Sequence, residues 1–168
     1  MASNPLPPDP PHSATEFEML TSFLDFYRGV MVRKIEGVDA EGLRRSPVDS
    51  GTSLGGLLKH LGYVERQWFG ESLGGLELDF PWTKEDPDAD FRLDKSETAE
   101  SLTAFYRAEC ERSRNVVADN PDLNRVVPAS RNRQVSLRWI LVHMIEETAR
   151  HAGHADILRE MHDGEVGD

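Results

Sequence analysis

The sequence predicts an all-α protein, a four-helix bundle with long connections between its helices. Three observations predict it. Four stretches carry apolar residues at threes and fours, a capping residue stands ahead of each, and there is no repeat and no convincing run of alternating strand residues. The up-down order is left open by periodicity. With 168 residues the prior is a single domain, large enough to bury roughly two-thirds of its unfolded surface. We place that domain at 13–163, after a Pro-rich arm at 1–12 with little to bury and before a polar tail at 164–168.

The first helix is expected to begin near Ser13 or Thr15 and end near Gly37, with Leu20, Phe23, Leu24, Tyr27, Val30, Met31 and Ile35 on its inner side. Pro47 and Gly51 make the segment after it a connection. The second helix, capped by Thr52 or Ser53, runs to about Ser72. Its stripe is Leu54, Leu57, Leu58, Leu61, Val64, Trp68 and Phe69, and His60 shares that inward side. Gly55, Gly56 and Gly62 lower its propensity by about 1 kcal/mol each relative to Ala, and glycine there permits close approach of another segment.

Residues 73–95 are acidic and carry Phe80, Trp82 and Phe91. A connection of this length is seldom structureless in a compact domain. It is expected to fold back, either as a lid on a pocket or as a cover over one end of the core. The third helix starts at Ser96 or Thr98 and stops at Asn120-Pro121, with Cys110 in its apolar pattern, where a lone cysteine reads as an inert small hydrophobe. Residues 121–135 show no clear periodicity and are read as irregular or extended. The fourth helix opens at Ser136 and runs through Met161 without proline, and Gly164 closes it.

A hydrophobic content of 38% against 29% charged residues belongs to a folded protein, not a disordered one. The formal net charge of -11, from 19 basic and 30 acidic residues, leaves little for the basic surface a phosphate backbone requires, so nucleic acid is not expected as the main partner. Arg125, Arg131, Arg133 and Arg138 still cluster in sequence. A single cysteine excludes an internal disulfide. No apolar run reaches the roughly 18 residues of a membrane span, and the polar start lacks a signal-peptide core. The expected location is cytoplasmic, with no membrane partner.

The fourth helix concentrates the chemistry. His143, Glu147 and His151 recur at intervals of four, which stacks them in a column, and His154 follows His151 by three. A carboxylate inside a bundle needs a partner, because uncompensated burial costs several kcal/mol or protonates it. With His60 on the second helix, Glu147 and His151 make two imidazoles and one carboxylate, the make-up of a divalent-metal centre with an open position. The same residues also suit a hydrogen-bonded Glu–His network without metal, and E-x-x-x-H by itself is a common spacing. His143 could instead donate to Glu147 from outside the centre. Glu146 is turned about 100° away from Glu147. His154 is close enough for a proton-transfer or substrate role, whereas Asp156, His162 and His12 read as solvated surface groups.

The runs TSLGGLLKHLGYVERQWFG (52–70) and EETARHAGHADILRE (146–160) resemble the DinB-like superfamily of four-helix metalloproteins. The branch they are most similar to is related to the N-terminal metal-binding domain of mycothiol-dependent maleylpyruvate isomerase. The resemblance implies one metal-binding histidine on the second helix, here His60, and two ligands four apart on the last helix, here Glu147 and His151. Many relatives carry H-x-x-x-H followed by R-G-Q. This chain has glutamate first, as in the isomerase branch, and His154 in the place of the glutamine. The resemblance implies a divalent ion (zinc first, with nickel, iron or manganese also suited) and mycothiol or another low-molecular-weight thiol. The activity it implies is a thiol-dependent S-transfer to a small electrophile, with His154 or His143 orienting a ligand or moving a proton. Arg66, Arg150 and the arginines of 131–138 are candidates for carboxylates of thiol or substrate. A homodimer is a further expectation. The isomerase carries an additional C-terminal domain while this sequence ends at Asp168, so isomerisation itself is not expected. Two alternatives use the same residues: a metal-binding stress protein without turnover, and a metal-free helical protein.

Overall fold

Each long helix begins where a side-chain oxygen can satisfy its first free N–H groups. The structure, a computed structural model, describes residues 7–129 and 132–167. Helix α1 (Glu16–Ile35) is capped by Thr15 in a capping box closed by Glu18. Helix α2 (Ala40–Arg44) is a short turn capped by Asp39, inside the segment expected to be only a connection. It is too short for periodicity to announce. Helix α3 (Leu54–Glu65) is capped by Ser53 and continues as a π-helix over Arg66–Leu73, where Gly74 N donates to Phe69 O at 2.9 Å. The combined span ends close to where the sequence puts it. The wider turn brings Trp68, Phe69 and Leu73 all inside.

Helix α4 (Ala99–Asp119) starts at Thr98 and α5 (Leu137–Asp163) at Ser136. Gly153 lies within α5 without breaking it, and Gly164 ends the helix at φ 79°, a left-handed conformation that favours glycine. The 121–135 stretch is where the structure adds what periodicity could not show. Strands β1 (Val126–Ala129) and β2 (Arg133–Ser136) pair antiparallel with Val127 opposite Val135, and both valines are buried. Two strands of four residues offer too little alternation to read.

The fold is thus mostly helical with a small two-stranded sheet. Helix α1 lies along α5 and α3 along α4, while α3 also meets α5. Two apolar clusters form the core, one around Met31, Leu57, Leu61 and Leu158, the other around Leu24, Phe69, Ile140 and Met144. Buried polar residues come between them on the helices: Arg28 on α1, Glu65 on α3 and His151 on α5. Among the described residues no helix is long and apolar enough to cross a membrane. Of the expected arm, residues 1–6 lie outside the described residues, and Pro7 packs so near Gly29 that a Cβ there would stand 2.9 Å from Pro7 Cγ. In the tail, Glu165 accepts a hydrogen bond from Arg159 at 2.7 Å. Asp168 lies outside the described residues.

Candidate metal centre

His60 comes from α3 and Glu147 and His151 from α5, one helical turn apart. Their neighbours Leu57, Leu61 and Met144 are fully buried and fix the facing sides of the two helices. His60 Nε2 and His151 Nε2 each lie 3.1 Å from Glu147 Oε1, and the two rings meet edge to face at 81° with centroids 5.2 Å apart. One ligand atom from each of the three falls within 4.8 Å of the others. With bonds of about 2.0 Å, donors around a tetrahedral ion stand roughly 3.3 Å apart, and the two separations of 3.1 Å from Glu147 Oε1 match that spacing. The side chains are 15% (His60), 14% (Glu147) and 8% (His151) exposed, sheltered yet still open to solvent.

The electrostatics suit a cation. Hydrogen bonds from His151 and then His60 hold Glu147 well below the usual carboxylate range, against its partial burial. Burial pushes His60 down, but hydrogen bonds to Asp90 and Glu147 outweigh it and its pKa is raised. Glu147 is thus held in its charged form, with the two imidazoles as its partners.

The outer nitrogens of both imidazoles are also engaged. His60 Nδ1 is 2.6 Å from Oδ2 of Asp90, which is 2% exposed, and Phe91 stacks on the His60 ring at 4.0 Å and 18°. His151 Nδ1 is 3.4 Å from His154 Nδ1. Burial and then the charges of His151 and Arg150 lower the pKa of His154, which favours its neutral form. Asp90 and Phe91 are site residues that the sequence alone does not single out. The length and aromatic content of 73–95 mark the segment, but nothing local separates Asp90 from Asp86, Asp88 or Asp94.

His143 is placed differently from the expected column. Its ring stacks on Trp139 at 4.9 Å, meets Trp68 edge-on at 5.1 Å, and its Nδ1 is 3.7 Å from Glu146. A step of four residues overshoots a full turn by about 40°, so the column drifts, and by His143 it has turned toward the indoles. Asp156 and His162 are not the solvated groups expected. Asp156 pairs with the buried Lys34 at 2.6 Å, and His162 packs over Gly42 with Asp39 at 3.4 Å. His12 is exposed as expected, and Glu146, turned away from Glu147, is exposed as well.

Arg66 is committed elsewhere, to Glu109 at 2.7 Å and the Asp79 carbonyl at 2.9 Å. Arg138 is held by Glu16, and Arg131 lies outside the described residues. Arg150 is 61% exposed and borders the cluster, 4.0 Å from Glu147 Oε2. Cys110 is buried, and burial followed by the nearby Glu65 charge pushes its thiol far up. Both effects favour the thiol over the reactive thiolate.

The family model described as Mycothiol-S-transferase matches residues 19–164, from the first turn of α1 to the glycine that closes α5. No curated protein matches the chain.

Proposed function

This chain belongs to the Mycothiol-S-transferase family, and from that premise we propose that it joins a low-molecular-weight thiol, mycothiol first, to a small electrophile through a new bond from the thiol sulfur, the thiol giving up its proton. The observation that carries the reading is the convergence of His60 Nε2, Glu147 Oε1 and His151 Nε2 from two helices. These three side chains would hold a divalent ion, zinc by preference, with nickel, iron or manganese compatible with the same nitrogen and oxygen donors. When bound, such an ion supplies a Lewis-acidic centre that favours the deprotonated form of a thiol. Glu147 would offset one of the ion's charges, and His60 and His151 would each present Nε2 while Nδ1 is engaged by Asp90 and His154 respectively. His154, neutral and solvent-facing, orients His151 and can take up a proton. Arg150 at the rim suits an anionic group on thiol or electrophile. His143 serves the aromatic packing around Trp68 and Trp139. We read the packing of α1, α3, α4 and α5 as a DinB-like four-helix bundle open at this centre.

The test is metal content of the wild type beside His60→Ala and His151→Ala, followed by turnover with mycothiol, bacillithiol and glutathione against a panel of electrophiles. We expect about one ion per chain, its loss in both variants, and turnover that depends on one thiol and disappears with the ion. A metal-free wild type with no turnover overturns the reading. A second reading, metal binding without turnover, takes its support from one observation: Phe91, from the long connection, lies flat against the ring of His60. Bound ion with no reaction across the panel would select it.

A further inference from the structure

We propose that Asp90 is a positioning residue for the His60 ligand, and that the segment carrying it, 89–93, is a clasp whose seating on α3 is linked to occupancy of the metal centre. The proposal rests on the metal-binding reading above and goes beyond its three ligands.

Asp90 lies in a 3-10 turn (Ala89–Phe91) at the end of the long acidic connection, almost fully buried, with His60 Nδ1 as its hydrogen-bond partner at 2.6 Å. A buried carboxylate placed there accepts a hydrogen bond from Nδ1–H and keeps the proton on that nitrogen. In the neutral ring this leaves the lone pair on Nε2, the nitrogen that faces Glu147. The ring orientation is set a second time by Phe91, which stacks on the same imidazole and reaches the edge of His151 at 6.3 Å. Consecutive residues of one segment therefore select the tautomer and fix the plane of one ligand.

The seat for this segment is cut into α3 by its glycines. A Cβ on Gly56 would collide with the carbonyl of Phe91, and one on Gly55 would stand 2.5 Å from Leu93 Cδ1. Backbone cannot yield as a flexible side chain can, so Gly56 is the stricter requirement. One turn on, Lys59 Nζ donates to the Arg92 carbonyl at 2.8 Å. Positions 55, 56, 59 and 60 of α3 hold the clasp, and position 60 is also the ligand. Because one residue belongs to both, a change that loosens the seat must weaken ion binding. By thermodynamic reciprocity, bound ion must tighten the seat by the same factor.

The experiment uses the full chain with Asp90→Asn, Asp90→Ala and Gly56→Ala, each checked for folding without metal. Zinc affinity is measured by competition with a chromophoric chelator, the visible spectrum of the cobalt(II) form is recorded, and hydrogen exchange of 88–93 is followed with and without zinc. Loss of Asp90 should lower zinc affinity about 10–100-fold, less in Asn than in Ala, since Asn can still accept from Nδ1. The cobalt bands should shift in both. Gly56→Ala, which alters no atom of the centre, should also weaken zinc. Exchange in 88–93 should slow on adding zinc to the wild type. Wild-type affinity and cobalt spectrum in both Asp90 variants, or exchange in 88–93 indifferent to zinc, overturns the clasp while leaving the three-ligand reading intact. A wild type that binds neither zinc nor cobalt overturns both. Should Gly56→Ala fail to fold, the near-isosteric Asp90→Asn still decides the matter.

Discussion

Among the ionisable side chains that helix α3 turns inward, His60 and Glu65 are surrounded by the protein in opposite ways. Glu65 is 0% exposed, and both its oxygens are taken by one guanidinium, Arg28 Nε to Oε1 at 2.8 Å and Nη2 to Oε2 at 2.6 Å. Asp25 takes another arm of Arg28 at 2.8 Å, and the guanidinium lies over the Phe69 ring. Around His60 the arrangement is open. The two imidazoles share a single oxygen of Glu147, while its other oxygen has Arg150 at the edge of reach, 4.0 Å away. A guanidinium cannot release its proton in a protein, so the Arg28–Glu65 pair is complete in itself and has no room for another cation. Imidazoles give up a proton near neutrality and then present lone pairs. The same problem, a carboxylate inside a helical protein, is closed permanently in one place and left able to accept an ion in the other.

The strongest way to break this comparison is to remove each carboxylate. Glu65→Ala strands the buried Arg28 charge and should cost about 3–5 kcal/mol in urea unfolding of the metal-free protein. Glu147→Ala should cost about 1 kcal/mol, because its partners keep access to water. Equal losses would mean that the two clusters are alike.

Next in size is the response to metal. Zinc at about a hundred times its Kd should raise the unfolding free energy of the wild type by about 2.7 kcal/mol. His60→Ala and His151→Ala should show none of that gain, and a similar rise in either would place the ion elsewhere.

Cys110 sharpens the contrast from the closed side, since it packs beside Tyr106 and the Glu65 charge. The native thiol should resist iodoacetamide and react once urea unfolds the chain. Cys110→Ala should cost about 1 kcal/mol and leave thiol-dependent turnover unchanged. Lost turnover would bring the protein's own sulfur into the reaction.

The smallest effect is with pH. The raised pKa of His60 means that its contribution to the metal-free protein is fully present below the ordinary value of 6.5 and fades as pH rises through the native one. Glu147, held low, contributes above its unfolded value and loses that only as pH falls through the native one. Metal-free stability should therefore be lower above the raised native value than at pH 6.5. With zinc present the slope should reverse, because protons and ion compete for the same nitrogens. Urea midpoints at both pH values, with and without zinc, check it, and His60→Ala should flatten the metal-free slope.

Much of this protein was determined by sequence alone. Helix starts were legible to within one or two residues because capping is chemistry between neighbours: Ser136 directly, and Thr15, Ser53 and Thr98 each as one of two candidates. Most of the inward side of each helix was legible because apolar periodicity reports which face is buried, but Phe23, expected on the inner side of α1, is 39% exposed. The triad was legible for the same reason: a four-residue interval on α5 fixes the Glu147–His151 spacing whatever surrounds it, and the stripe of α3 carries His60 inward. Only the tertiary structure decided that α3 and α5 meet at the level where those side chains converge. It also decided that Asp90, among several acidic residues of an aperiodic loop, is the one that reaches His60, and that His143 turns to Trp139 and Trp68. Asp156 finds Lys34 in the same way. Local patterns encode conformation and burial, but the choice among equivalent charged side chains is made by segments far apart in the chain, through contacts that exist only once it has closed.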